Sequence, residues 1–168
     1  MIGLAQKQLF RARWTDKIHD EWMENLLENR PDLQPARLAR TRDLMNAAVP
    51  DCLVTGYEEL IPALQLPDPD DRHVLAAAIR CNASVIVTFN QADFTLEALA
   101  PYYIETQSPD VFLLHLLDLH PAEVYLTLKE RREALRNPPK SPAAFLDTLE
   151  QQRLPRSVLR LRDATDLI

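Results

Sequence analysis

From residue 16 to residue 29 apolar side chains return every four positions. Ile18, Trp22 and Leu26 share a face, Met23 and Leu27 lie beside it, and Asp20, Glu21, Glu24 and Glu28 line the others. That period predicts an amphipathic helix, capped by Thr15 or Asp16 and broken at Arg30-Pro31-Asp32. Ahead of it, residues near 1–8 read as a helix end and Leu9 to Trp14 alternates as a strand. A second helix, Pro35 to Ala48, carries Leu38, Met45 and Val49 on its apolar stripe, and Pro50 closes it. A loop with Gly56 and a helical turn over 58–64 follow. Asp68 as N-cap and Pro69 at the first helical position then open a helix over 69–80, apolar on most sides and therefore buried. Ser84-Val85-Ile86-Val87-Thr88-Phe89 is a near-continuous β-branched run, as an inner parallel strand requires. A short helix at 95–100 and a short strand at 103–105 complete an alternation of helix and strand. The pattern predicts an α/β fold with a parallel sheet.

After Ser108-Pro109 the pattern is helical throughout: 110–119, 121–136, and a pair near 143–152 and 155–162 beyond the linker Asn137-Pro138-Pro139-Lys140-Ser141-Pro142. The division expected is an α/β domain over 1–108 and a helical extension over 109–168.

Composition removes several function classes. With 2 glycines in 168 residues the chain has no glycine-rich phosphate loop and no dinucleotide fingerprint. Cys52 and Cys81 are too far apart for a Cys-x-x-Cys pair and read as two buried free thiols. His19, His73, His115 and His120 show no metal-binding spacing, and His73 reads as a helix-surface residue. No apolar run approaches the ~18 residues of a membrane span, and no secretory pattern opens the chain. A cytoplasmic location is expected. The net charge of −6 is uneven: residues 1–120 hold 10 basic against 18 acidic side chains, and residues 121–168 hold 9 against 7. An acidic chain is a poor nonspecific nucleic-acid binder, so phosphate contacts, if made, fall to local basic surface such as the tail.

The candidate chemistry lies between residues 66 and 94. Asp68, Asp70 and Asp71 crowd one helix start, and Thr88, Asn90 and Asp93 follow the end of the strand. Open α/β sheets bind ligands outside the carboxyl ends of their strands, and hard divalent cations prefer oxygen ligands. One reading gathers Glu21, Asp71 and Asp93 around a cation. The other gives each acid a structural role. Three acids stabilise a helix N-terminus, Asp93 opens a further helix, and Glu21 is solvated. Spacing alone leaves both open.

The segments Leu66-Pro-Asp-Pro-Asp-Asp-Arg-His-Val-Leu-Ala-Ala-Ala and Val85-Ile-Val-Thr-Phe-Asn-x-x-Asp-Phe resemble the PIN domain, in particular the VapC-type ribonuclease toxins of bacterial toxin–antitoxin pairs. Trp14 to Trp22 resembles the second acidic motif of that family. The resemblance spans roughly 1–108, and the helical tail resembles an extension of some VapC-like proteins. It implies a three-layer α/β/α sandwich and Mg²⁺- or Mn²⁺-dependent cleavage of RNA, in which the acids hold metal and water is activated for attack on the phosphodiester. It implies Glu21 as the helix acid, Asp71 as the acid of the buried helix, and Asp93 or Asn90 as the strand-end position, with Thr88 beside them and Asp68 and Asp70 as caps or outer groups. An antitoxin protein is the implied partner. The chain departs from the family in one respect: no Val/Ile/Leu-rich strand ending in Asp precedes Leu9. The departure sets up two expectations. One is a start internal to a longer protein. The other is a shortened, catalytically impaired module that keeps a partner groove, with sheet edges covered by a homodimer or a swapped element. A purely structural α/β protein whose acids are caps is the third reading.

Overall fold

Proline opens five of the nine α-helices of this chain. Pro35, Pro109, Pro121, Pro142 and Pro155 each stand in the first turn of an α-helix, where the missing N–H is one that no helix could satisfy. Ser and Thr add side-chain caps: Thr15 accepts from the Ile18 N–H at 3.1 Å, Ser108 from Val111 at 3.2 Å and Ser141 from Ala144 at 3.2 Å. In the computed structural model, which describes residues 1–168, the elements run α1 (Ile2–Gln6), α2 (Asp16–Asn29), α3 (Pro35–Ala48), α4 (Arg72–Arg80), β1 (Val85–Val87), α5 (Leu96–Leu99), β2 (Glu105–Gln107), α6 (Pro109–Leu119), α7 (Pro121–Glu133), α8 (Pro142–Gln151) and α9 (Pro155–Arg162).

β1 and β2 pair in parallel, Ile86 opposite Thr106. α4 packs on β1 and α6 on β2, which gives the α/β character predicted from the pattern. Most of the chain is nevertheless helical. The alternation at Leu9–Trp14 yields no strand; Trp14 alone pairs, in a parallel bridge to Leu53. The Trp14 N–H donates to the Cys52 carbonyl and the Val54 N–H to the Trp14 carbonyl, each at 2.9 Å. Leu53 meets this segment at that one position, so no ladder extends from it. An apolar groove of about 860 Å³ lies between this segment and β1, lined by Phe10, Trp14, Trp22, Val74, Val85 and Phe112 among others.

Three other boundaries differ from the pattern. The helix expected over 69–80 begins as a 3₁₀ turn, Pro69–Asp71, before α4. The Asp68 carboxylate accepts the Asp70 N–H at 2.8 Å, two residues on, and so tightens that turn. The second strand is displaced to 105–107, because Tyr103 takes a left-handed conformation (φ 56) that turns the chain first. α7 stops at Glu133 rather than 136.

Two main apolar cores result. The first gathers Leu64, Leu66, Leu75, Leu99 and Ile104 around α4 and β1, with Leu75 wholly buried. The second unites the tail helices through Leu117, Val124, Leu146, Val158 and Leu161, and it also takes Leu4 of α1. The tail therefore packs on the amino-terminal helix as well as on itself. α9 is tied to the sheet end by Asp110, buried at the start of α6. Its carboxylate accepts the N–H groups of Arg156 at 3.0 Å and Ser157 at 2.8 Å, and the Ser157 hydroxyl donates to the Asp110 carbonyl at 2.8 Å. No helix is long and apolar enough to cross a membrane.

Candidate metal centre

Buried Leu64 and Leu66 anchor the approach to the acidic turn. From there Asp68 enters with an extended backbone, caps the 3₁₀ turn, and leaves one carboxylate oxygen uncommitted by that bond. Asp71 stands where the turn becomes α4. It makes no side-chain cap hydrogen bond, so its carboxylate is not spent on the helix.

The third acid comes from the far end of β1. The Thr88 N–H continues the ladder to the Gln107 carbonyl at 3.0 Å. The Thr88 hydroxyl oxygen accepts the Asn90 N–H at 3.0 Å, and the Asn90 side-chain amide donates to the Asp93 carboxylate. Gln91 ties the same turn to the Thr106 carbonyl at 3.3 Å. These bonds aim Asp93 back toward α4. Side-chain oxygens of Asp68, Asp71 and Asp93 lie within 4.8 Å of one another; Asp68 is exposed and the other two are half-buried.

Such crowding resists ionisation. Burial, then the charges of Asp93 and Asp68 and a hydrogen bond with Asp93, push the Asp71 carboxyl above the ordinary aspartate value. Glu21, on α2, shares the field without joining the trio. Burial raises its carboxyl, Lys17 opposes the rise, and Asp71 and Asp70 add to it. Lys17 Nζ lies 3.9 Å from Glu21 Oε1. On the other side His73 Nε2 lies 2.8 Å from the same oxygen, though without the alignment of a hydrogen bond. Burial, reinforced by Lys17, lowers the His73 imidazole to about 4. Burial thus favours the neutral imidazole at this contact. His73 itself is 1% exposed, which corrects the helix-surface expectation. Of the two cysteines, Cys52 is buried and Cys81 half-buried.

Behind Glu21 a polar network fixes α2 to α3. The Trp22 indole N–H donates to His19 Nδ1 at 2.8 Å, which leaves the His19 proton on Nε2, 2.9 Å from Asn46 Oδ1. The same Asn46 oxygen accepts from the Trp14 indole at 2.7 Å. Nothing in the spacing of His19, Asn46 and the two tryptophans announces this arrangement.

Of the sequence candidates, Asp71 and Asp93 are brought together with Asp68. Asn90 and Thr88 hold Asp93 in place, Glu21 borders the trio, and Asp70 stays exposed outside it. The donor set is oxygen alone, anionic and compact, which suits Mg²⁺ or Mn²⁺ rather than a softer metal.

Residues 1–92 match the family model described as PIN domain, and residues 109–163 match the model described as VapC50 C-terminal domain. The chain is 39% identical over 120 residues to a Mycobacterium tuberculosis protein named "Putative ribonuclease VapC50", an alignment covering 69% of this chain and 70% of that one. No solved structure matches.

Proposed function

The chain belongs to the PIN-domain family, and from that footing we propose that it is a metal-dependent endoribonuclease of the VapC toxin type. The observation that carries the reading is the meeting of Asp68, Asp71 and Asp93 oxygens within 4.8 Å at the carboxyl end of β1. Asp71 and Asp93, with Asp68, would hold Mg²⁺ or Mn²⁺. Bound there, the cation supplies Lewis acidity toward a phosphodiester and lowers the pKa of water. Asn90 orients the Asp93 carboxylate, and Thr88 holds the Asn90 backbone in the conformation that permits it. The Glu21 carboxyl, raised by burial, keeps a proton to higher pH than an ordinary glutamate and is suited to exchange one beside the reacting phosphate.

The same reading assigns the substrate as RNA, the partner as a cognate antitoxin protein, and the compartment as the cytoplasm. It also divides the chain at 108/109, which is supported by the two family matches falling on either side of that point. Incubation of the protein with labelled RNA and Mn²⁺ tests it. Cleavage that EDTA stops and that Asp71→Asn abolishes supports the assignment. Cleavage undiminished in Asp71→Asn removes the trio from the chemistry.

A further inference from the structure

Phe89 is the exposed aromatic at the strand end, 47% accessible and one residue before Asn90. The guanidinium of Arg153 stacks on its ring, 4.5 Å from the centroid. The two residues are far apart in sequence. They meet because Asp110 holds the first turn of α9 against the sheet end, carrying the α8–α9 connection with it.

The backbone at Arg153 gives a second, independent observation. Arg153 follows α8 in the left-handed region (φ 66), with its own N–H on the Glu150 carbonyl and the Leu154 N–H on Leu149. That position after a helix favours glycine, because a Cβ is strained there. This chain nevertheless places a long cation at it. Arg153 makes no ion pair, and neither does Arg156, the next basic residue, also exposed. In a chain of net charge −6 the Arg153 cation lies on the ring that directly precedes Asn90, the residue holding Asp93, and Arg156 follows three residues later on the turn that Asp110 holds.

We propose that Phe89 and Arg153, with Arg156, form the surface that grips single-stranded RNA beside the acidic trio: the ring of Phe89 stacks a base and the arginines meet flanking phosphates. This rests on the ribonuclease reading for its location. The chemistry follows from the parts. An aromatic ring backed on one face by a guanidinium presents the other to a base. Arginines without an ion-pair partner concentrate phosphate locally. The tail thereby contributes to the substrate path without touching the trio.

The test is the binding of a short fluorescein-labelled single-stranded RNA to the full chain in EDTA, so that no cleavage intrudes. Arg153→Gly relieves the left-handed backbone and removes the side chain, so its melting temperature is expected to hold or rise. It is expected to weaken binding about fivefold and to lower the slope of log affinity against log salt by about 0.7. Phe89→Ala is expected to weaken binding at least about fivefold while leaving that slope unchanged. Wild-type affinity in either variant overturns the proposal, as does a loss confined to capture of a protein partner. Because the assay holds no metal, its outcome is separate from the Asp71→Asn cleavage test. The grip stands if binding falls here even where the trio proves uninvolved in cleavage.

Discussion

Replacing Asp71 by asparagine changes one oxygen for an amide and removes one charge from three crowded carboxylates. At the 4.8 Å limit within which these oxygens lie, two unit charges repel by about 1 kcal/mol in water and about 3 kcal/mol at the effective permittivity of a protein surface. Asp71 takes part in two of the three pairs, and Asp68 is exposed, so solvent screening brings the total toward about 1–2 kcal/mol. Against this, an acid at the start of α4 contributes about 0.3–1 kcal/mol through the helix dipole. It makes no cap hydrogen bond that asparagine would lose. The balance predicts a metal-free Asp71→Asn protein about 1 kcal/mol more stable than wild type, or ~2–4 °C in melting temperature for a chain of this size. With Mn²⁺ at about 100 times its dissociation constant the wild type gains ~2.7 kcal/mol, and the variant gains little. The two melting temperatures therefore cross as Mn²⁺ is added, which differential scanning calorimetry reads directly. A variant that melts below wild type without metal, yet keeps the full Mn²⁺ shift, would refute the electrostatic account and the assignment together.

The pH dependence follows from the same groups. Glu21 and Asp71 have carboxyls raised on folding, from ordinary values of 4.5 and 3.8, so the native state binds more protons than the unfolded one through that window. Their contribution to metal-free stability is fullest below those ordinary values and is lost as pH rises through the raised ones. The gap between wild type and Asp71→Asn should accordingly narrow in melts at acid pH, and a gap that widens there contradicts the sign. Asn90→Ala frees the Asp93 carboxylate from its orienting donor and is expected to weaken Mn²⁺ about tenfold by isothermal calorimetry, with the metal-free melt nearly unchanged. Asp110→Ala leaves the Arg156 and Ser157 N–H groups without their acceptor. It should cost about 2 kcal/mol, seen as a fall of ~4–8 °C. Leu75→Ala, at a wholly buried position, should cost about 2–5 kcal/mol in urea unfolding.

Elements whose signals are local are legible in the sequence. The stripe Ile18–Trp22–Leu26 with Thr15 before it gives α2, and Pro155 gives the start of α9. Both depend on spacing and capping within a short stretch of chain. The run at 84–89 identifies a strand for the same reason, although only Val85–Val87 form it. Leu9–Trp14 shows the limit. Alternation reports which side chains share a face, whereas a ladder needs a second backbone, and Leu53 supplies one bridge. The acids divide similarly. Asp68 is legible as a cap, and it is one, with its Oδ1 on the Asp70 N–H. A carboxylate has two oxygens, and the approach of Asp68 to Asp93 depends on how β1 lies against α4, which no local pattern encodes. His73 escapes a reading by spacing because α4 is buried on nearly every side, so a polar residue on it finds no water.

Asp110 also settles where this chain can be cut and rejoined. The proline-rich stretch at 137–142 invites use as the joint for a chimera, since it looks like a tether between cassettes. A tail grafted there would bring α9 but not the carboxylate that receives its first two amides, which lies on the other side of the splice. Recombination between relatives should keep residue 110 and residues 156–157 of one parentage, so the crossover belongs before α6.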